Sequence, residues 1–189
     1  MSPWEGIAVV LAIAYLVLAI RQNIWCWPAA FASTVIYLVL MYRAFLYMES
    51  ALQVFYLAMA VYGWYQWRHG PGPHHSLPVN RRPLAWHVVA IIIVLLATLI
   101  SGRLLTAYST AALPYADSFT TWGAIIATYM VTRKVLENWL YWFVIDSVSI
   151  YLYINRELYL TALLFAGYLV LIVVGYLTWR KDLQQAEMA

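Results

Sequence analysis

Asn138, Trp142, Asp146, Ser149 and Tyr153 bring an amide, an indole, a carboxylate, a hydroxyl and a phenol together at spacings of three or four residues. In a helix each residue turns by about 100°. With Asn138 at zero, Ser149, Trp142, Tyr153 and Asp146 all fall within about 80° of it, and Trp139 stands at the edge near 100°. One stripe therefore carries groups suited to a flat, polar ligand. Leu140, Phe143, Val144, Val148 and Leu152 make up the rest of the circumference, which suits lipid or apolar packing.

Asp146 sits about eight residues into an apolar run, roughly 12 Å below its start and near the middle of a ~30 Å hydrocarbon layer. A carboxylate there costs about 2.5–3.5 kcal/mol on insertion scales and by default marks a site for a cation or a proton. An Asp satisfied by Asn, Tyr or Ser of a neighbouring helix would need no ligand. The aromatic faces flanking this one favour a ligand.

The rest of the chain must place that stripe in a bilayer. Of 189 residues, 65% are hydrophobic and 10% charged. In soluble domains the charged share is about 25%. A single cysteine, Cys26, excludes an internal disulfide and a Cys-rich metal site. A net charge of +3 with so few basic residues argues against nucleic acid. The first apolar run starts at Trp4 without a basic leader, so it reads as a permanent span.

Seven apolar runs follow one another: 4–20, 25–41, 51–67, 86–105, 118–132, 138–153 and 159–179. Pro28 falls in the first turn of the second, where proline is tolerated. Residues 68–85 form the one evident linker, with four of the seven prolines and the pair His74-His75. Adjacent histidines in such a loop lack the i, i+4 geometry of helical zinc motifs, so no metal or cofactor is expected. Trp4, Trp67, Trp86, Trp122 and Trp179 lie at run ends and read as interfacial anchors. Thr120, Thr121, Thr128 and Thr132 read as packing hydroxyls.

The chain overlays on itself without gaps when Trp27 is set on Trp139. At that one offset Tyr56-Leu57 meets Tyr168-Leu169, Gly63 meets Gly175, and Trp67-Arg68 meets Trp179-Arg180. The expected layout is three helices (4–67), the basic Pro-rich loop (68–85), a linker helix (86–105) and three helices (116–181). Equivalent helices then run the same way, as a parallel repeat about an axis along the membrane normal, with a site between the halves near the midplane. Arg43, Arg103 and Arg156 lie on one side. Arg21, Arg68, Arg81, Arg82, Arg133, Lys134, Arg180 and Lys181 lie on the other, which should be cytoplasmic, with the N-terminus outside and the C-terminus inside.

The segment Arg133-Lys134…Glu137-Asn138-Trp139…Trp142…Asp146…Ser149…Tyr153, with Leu158-Tyr159, Thr161-Ala162, Gly175 and Trp179-Arg180, resembles the Pnu vitamin transporters. So do Leu46-Tyr47, Gln53 and 62–67 in the first half. Members of that family carry nicotinamide riboside, and close relatives carry thiamine or flavins. The resemblance implies an all-α integral membrane fold of seven helices similar to the SWEET sugar transporters, in the bacterial inner membrane. It also implies facilitated diffusion, with a separate cytoplasmic kinase that traps the vitamin. Carried over by position, the family's site matches Asn138, Trp142 and Asp146, with Gln53 and Trp64.

Nicotinamide riboside and thiamine are both flat aromatic cations, and a carboxylate beside indole faces suits either. Asn138, Gln53 and Ser149 could serve the remaining polar groups. No phosphate loop, HExxH or Gly-x-Ser-x-Gly occurs, so neither an ATP motor nor a hydrolase is expected. A cation channel and a SWEET-like sugar facilitator are the alternatives to a vitamin carrier, and self-association into a homo-oligomer stays open.

Overall fold

A computed structural model describes residues 3–43, 47–71, 77–108, 113–155, 157 and 159–188. The described residues form seven α-helices: α1 (Pro3–Ile20), α2 (Cys26–Arg43), α3 (Tyr47–Arg68), α4 (Leu84–Tyr108), α5 (Pro114–Thr132), α6 (Asn138–Asn155) and α7 (Tyr159–Met188). The pairing of Asn80 with Val135 is one isolated bridge outside any strand. His74, His75, Arg156, Leu46 and Leu158 lie outside the described residues.

Each expected run is a helix, with shifted ends. The α5 helix begins at Pro114 instead of after it, because proline's fixed φ and missing N–H suit a first helical position. The α7 helix continues past Trp179 to Met188, through a polar tail. That tail is rich in Gln, Lys, Leu, Ala and Glu, all good helix formers. Among the described residues, two stretches are long and apolar enough on their own to cross a bilayer, Leu84–Tyr108 and Thr161–Met188.

The α4 helix shows an apolar surface of the kind lipid covers. Its buried residues are Ala90, Val94, Thr98 and Gly102, a single stripe of i, i+4 neighbours. Ile91, Ile92, Ile93, Leu95, Leu96, Leu99 and Ile100 around it are about half exposed. A patch of that kind is stable only against another apolar phase.

The chain divides into two units. The first comprises Met1–Val79, Val131–Lys134 and Lys181–Ala189; the second comprises Asn80–Met130 and Val135–Arg180. In the first, α2 packs against both α1 and α3, and Ser33 Oγ donates to the Ala8 carbonyl at 2.8 Å. Trp27 and Trp67 meet edge-on there, with centroids 5.3 Å apart and planes at 86°, and Gly63 lies under the Trp27 ring. The second unit repeats this with Trp139 and Trp179, at 5.3 Å and 88°, and with Gly175 under Trp139. Small residues let helix backbones come this close. Trp67 and Trp179 are 4% and 0% exposed. They are thus core rings and not the interfacial anchors expected from their positions, since each is held by its partner tryptophan. Trp4, at 63% exposed, does suit an anchor.

Candidate functional site

The turn before α6 fixes where the stripe begins. The α5 helix ends with Lys134 in the left-handed region, φ 47°. The Lys134 amide donates to the Val131 carbonyl at 3.0 Å, and the Val135 amide to the Met130 carbonyl at 2.9 Å. That pair of bonds is a Schellman cap, which normally takes glycine at its left-handed residue. Gln22, the residue matched to Lys134 by the internal repeat, has φ 52° and closes α1 in the same way.

Side chains hold both non-glycine caps in place. Lys134 Nζ donates to Gln22 Oε1 at 3.0 Å, and Gln22 Nε2 donates to Asp182 Oδ2 at 2.6 Å. The ammonium also stands 4.5 Å from the Trp67 ring centroid. Burial pulls the Lys134 pKa down from 10.5 to about 8, while Cys26 and Asp182 act in the opposite direction. Arg133 donates to Gln66 Oε1 at 2.7 Å. The sequence shows Arg133 and Lys134 only as positive charges at a span end. Their burial and pairing arise in the fold.

On α6 the structure brings the stripe into one buried arc. Asn138, Trp139, Asp146 and Ser149 are buried, and so are Ile145 and Leu152. Leu140, Phe143 and Val144 are the exposed side, as expected. Leu152, read with them as suiting lipid or apolar packing, takes the second course and is buried. At about −40° on the wheel it borders the polar arc and packs inward with it.

The members of the arc differ in what they offer a ligand. Asn138 is fully enclosed: its Nδ2 donates to the Val135 carbonyl at 2.7 Å, and its Oδ1 has no hydrogen-bond partner among the described residues. Trp139 is committed to packing against Trp179 and Gly175. Ser149 Oγ donates back to the Ile145 carbonyl at 3.0 Å. Tyr153 is half-buried and meets Phe165 at 4.9 Å.

Asp146 stands apart. It is 5% exposed, and among the described residues no hydrogen bond or ion pair reaches its carboxylate. Trp142 lies on the wheel between buried Ser149 and buried Asp146 and is itself half-buried. Carboxylate and indole stand one turn apart on the same face of α6, a pairing that suits a flat cation.

Gln53 and Trp64 belong to the other unit, on α3. Gln53 is half-buried. Trp64 is half-buried against Trp25, with ring centroids 6.1 Å apart at 76°, and Trp25 is 63% exposed. That pair has the setting of an interfacial belt. No group of three or more His, Cys, Asp or Glu side chains placed for a metal occurs among the described residues.

Seven largely apolar helices among the described residues suit a multi-pass membrane protein, and comparison with known proteins gives its class. The family model described as nicotinamide mononucleotide transporter matches residues 2–181, and the chain belongs to that family. It is 27% identical over 176 residues to the riboflavin/roseoflavin transporter RibM of Streptomyces davaonensis, across 90% of this chain and 81% of that one. It is 24% identical over 151 residues to the nicotinamide riboside transporter PnuC of Escherichia coli, across 66% of this chain and 63% of that one. The crystal structure of the vitamin B3 transporter PnuC superposes with a TM-score of 0.76 at 21% identity, covering 96% of this chain and 82% of that one. The family and this structural neighbour are transporters, not enzymes.

Proposed function

We propose that this protein takes up a small, flat, cationic vitamin, nicotinamide riboside or thiamine, by facilitated diffusion across the bacterial inner membrane. Asp146 supplies the countercharge and Trp142 the ring face. A separate cytoplasmic kinase traps the vitamin by phosphorylation. The observation that carries this reading is the Asp146 carboxylate, 5% exposed in a membrane helix and without a partner among the described residues. An unpaired acid in such a place is retained for what it binds. We place the basic side, with Arg21, Arg68, Arg133 and Arg180, in the cytoplasm. The helices follow the three-plus-one-plus-three repeat, which the matched Trp27–Gly63–Trp67 and Trp139–Gly175–Trp179 clusters support.

The Streptomyces relative favours a second reading, a flavin as cargo, since the similarity runs across 90% of this chain. A flavin is neutral and would use Trp142 for stacking without needing the acid.

Vesicles carrying the purified protein and preloaded with unlabelled vitamin test the transport mode. Labelled nicotinamide riboside or thiamine should exchange inward without a proton or sodium gradient. Exchange that strictly requires a gradient would overturn facilitated diffusion, and exchange of riboflavin alone would establish the second reading.

A further inference from the structure

At the start of α4 and α6 stand three buried polar atoms without hydrogen-bond partners among the described residues: Arg82 Nε, His87 Nε2 and Glu137 Oε2. The chain brings them there in two steps. Asn80 and Val135 pair as a parallel bridge, and the Leu136 amide donates to the Asn80 carbonyl at 2.8 Å. Two positions further along each parallel segment stand Arg82 and Glu137. His87, in the first turn of α4, then lies 3.8 Å from Glu137 Oε2, and its Nδ1 shares a 3.0 Å hydrogen bond with the Tyr141 hydroxyl. Arg82 and Glu137 make no ion pair with each other. Buried polar atoms in native proteins are nearly always satisfied, whereas His87 Nε2 and Glu137 Oε2 meet only at ion-pair distance and Arg82 Nε has no hydrogen-bond partner among the described residues, so these groups suit a polar ligand.

Directly below the cluster is an apolar groove of about 300 Å³ between α4, α5 and α6. Ile91, one turn beyond His87, lines it with Leu95, Phe119, Leu140, Tyr141 and Val144. Ile91, Leu95, Leu140 and Val144 are each about half exposed on the lipid-facing side. At roughly 30 Å³ per water-sized group, the groove takes on the order of ten methylenes. Trp86 packs edge-on against His87, with centroids 5.3 Å apart, which suits the headgroup level of a bilayer.

We propose that this is a binding site for an aminophospholipid, with its acyl chain in the groove and its headgroup among Arg82, His87 and Glu137. The guanidinium matches the phosphate, as a planar donor fork. The Glu137 carboxylate matches a primary ammonium, which has N–H bonds to donate. A choline headgroup has none, and a glycerol headgroup brings no positive charge to the acid. A zwitterion with a free ammonium complements the whole cluster.

The test is native mass spectrometry of the purified full chain with equimolar phosphatidylethanolamine, phosphatidylcholine and phosphatidylglycerol of the same acyl chains. The parent should retain phosphatidylethanolamine about tenfold over the other two, the scale of one charge-assisted hydrogen bond. Glu137→Gln should bring the three to parity, Arg82→Gln should lose all three, and Leu140→Trp should lose them by filling the groove. Parity in the parent, or a preference unchanged in both Glu137→Gln and Arg82→Gln, overturns the site. If a variant does not fold, the parent still decides. Added phosphatidylethanolamine should raise its unfolding temperature above the value in phosphatidylcholine or phosphatidylglycerol, and equal temperatures in all three refute the proposal.

Discussion

Replacing Asp146 by Asn removes a charge and almost no volume, and its effects on ligand binding and on folding should have opposite signs. Asp146 is 5% exposed and has no partner among the described residues, so the change orphans no neighbouring group in the empty protein. It removes instead the cost of holding a carboxylate among apolar side chains, about 2.5–3.5 kcal/mol on insertion scales. The unfolding temperature of the detergent-purified variant should therefore equal or exceed that of the parent. Bound to a cation, the variant lacks a buried countercharge. Truncating one member of such a pair costs about 2–5 kcal/mol, so affinity should fall roughly thirtyfold or more. Calorimetry with nicotinamide riboside, thiamine and riboflavin side by side reads this directly. Both cations should weaken by that factor, and neutral riboflavin should change by less than about threefold. Undiminished cation binding would remove Asp146 from the site. A drop of several degrees in unfolding temperature would make Asp146 a structural group and refute the reasoning.

The other outcomes follow from neighbouring geometry. Trp142→Leu should weaken cationic vitamins by roughly threefold to thirtyfold, with Trp142→Phe between it and the parent, because cation–π contact contributes about 0.5–2 kcal/mol; equal affinities in calorimetry would place the ring outside the site. Gly175→Ala puts a Cβ 2.6 Å from the Trp139 ring, an overpacking that should destabilise by about 1–3 kcal/mol in thermal unfolding. Gly63→Ala, under Trp27, should behave alike, and an unchanged midpoint in both would deny the close packing. For Lys134, the native chain loses the proton near pH 8 and the unfolded chain near 10.5. Between those values the unfolded chain binds more protons, so this group makes stability rise with pH, by about 3 kcal/mol at most. Below pH 8 the penalty of burying the ammonium is fully present. The parent should therefore gain stability relative to Lys134→Met between pH 8 and 10, and identical pH profiles would contradict the burial of this ammonium.

The sequence by itself determined the helices, the apolar class and the stripe on α6, because these depend on local periodicity and on which side chains lipid accepts. The internal repeat marked Trp27, Gly63, Trp67 and their counterparts as related, but not as two edge-on ring pairs seated on glycines. Tertiary structure alone separated Asp146 and Trp142 from Asn138, Trp139 and Ser149. All five share a helical face, yet the last three contact a loop carbonyl, a tryptophan and their own backbone, although Asn138 Oδ1 and Trp139 Nε1 also lack hydrogen-bond partners among the described residues. It likewise buried Trp67 and Trp179, which end their runs as interfacial residues would. It also drew Lys134, Gln22 and Asp182 into one network and brought His87 beside Glu137. Spacing along a chain records which residues share a face. Which of them keep an unmet bond depends on neighbours brought from far away in sequence.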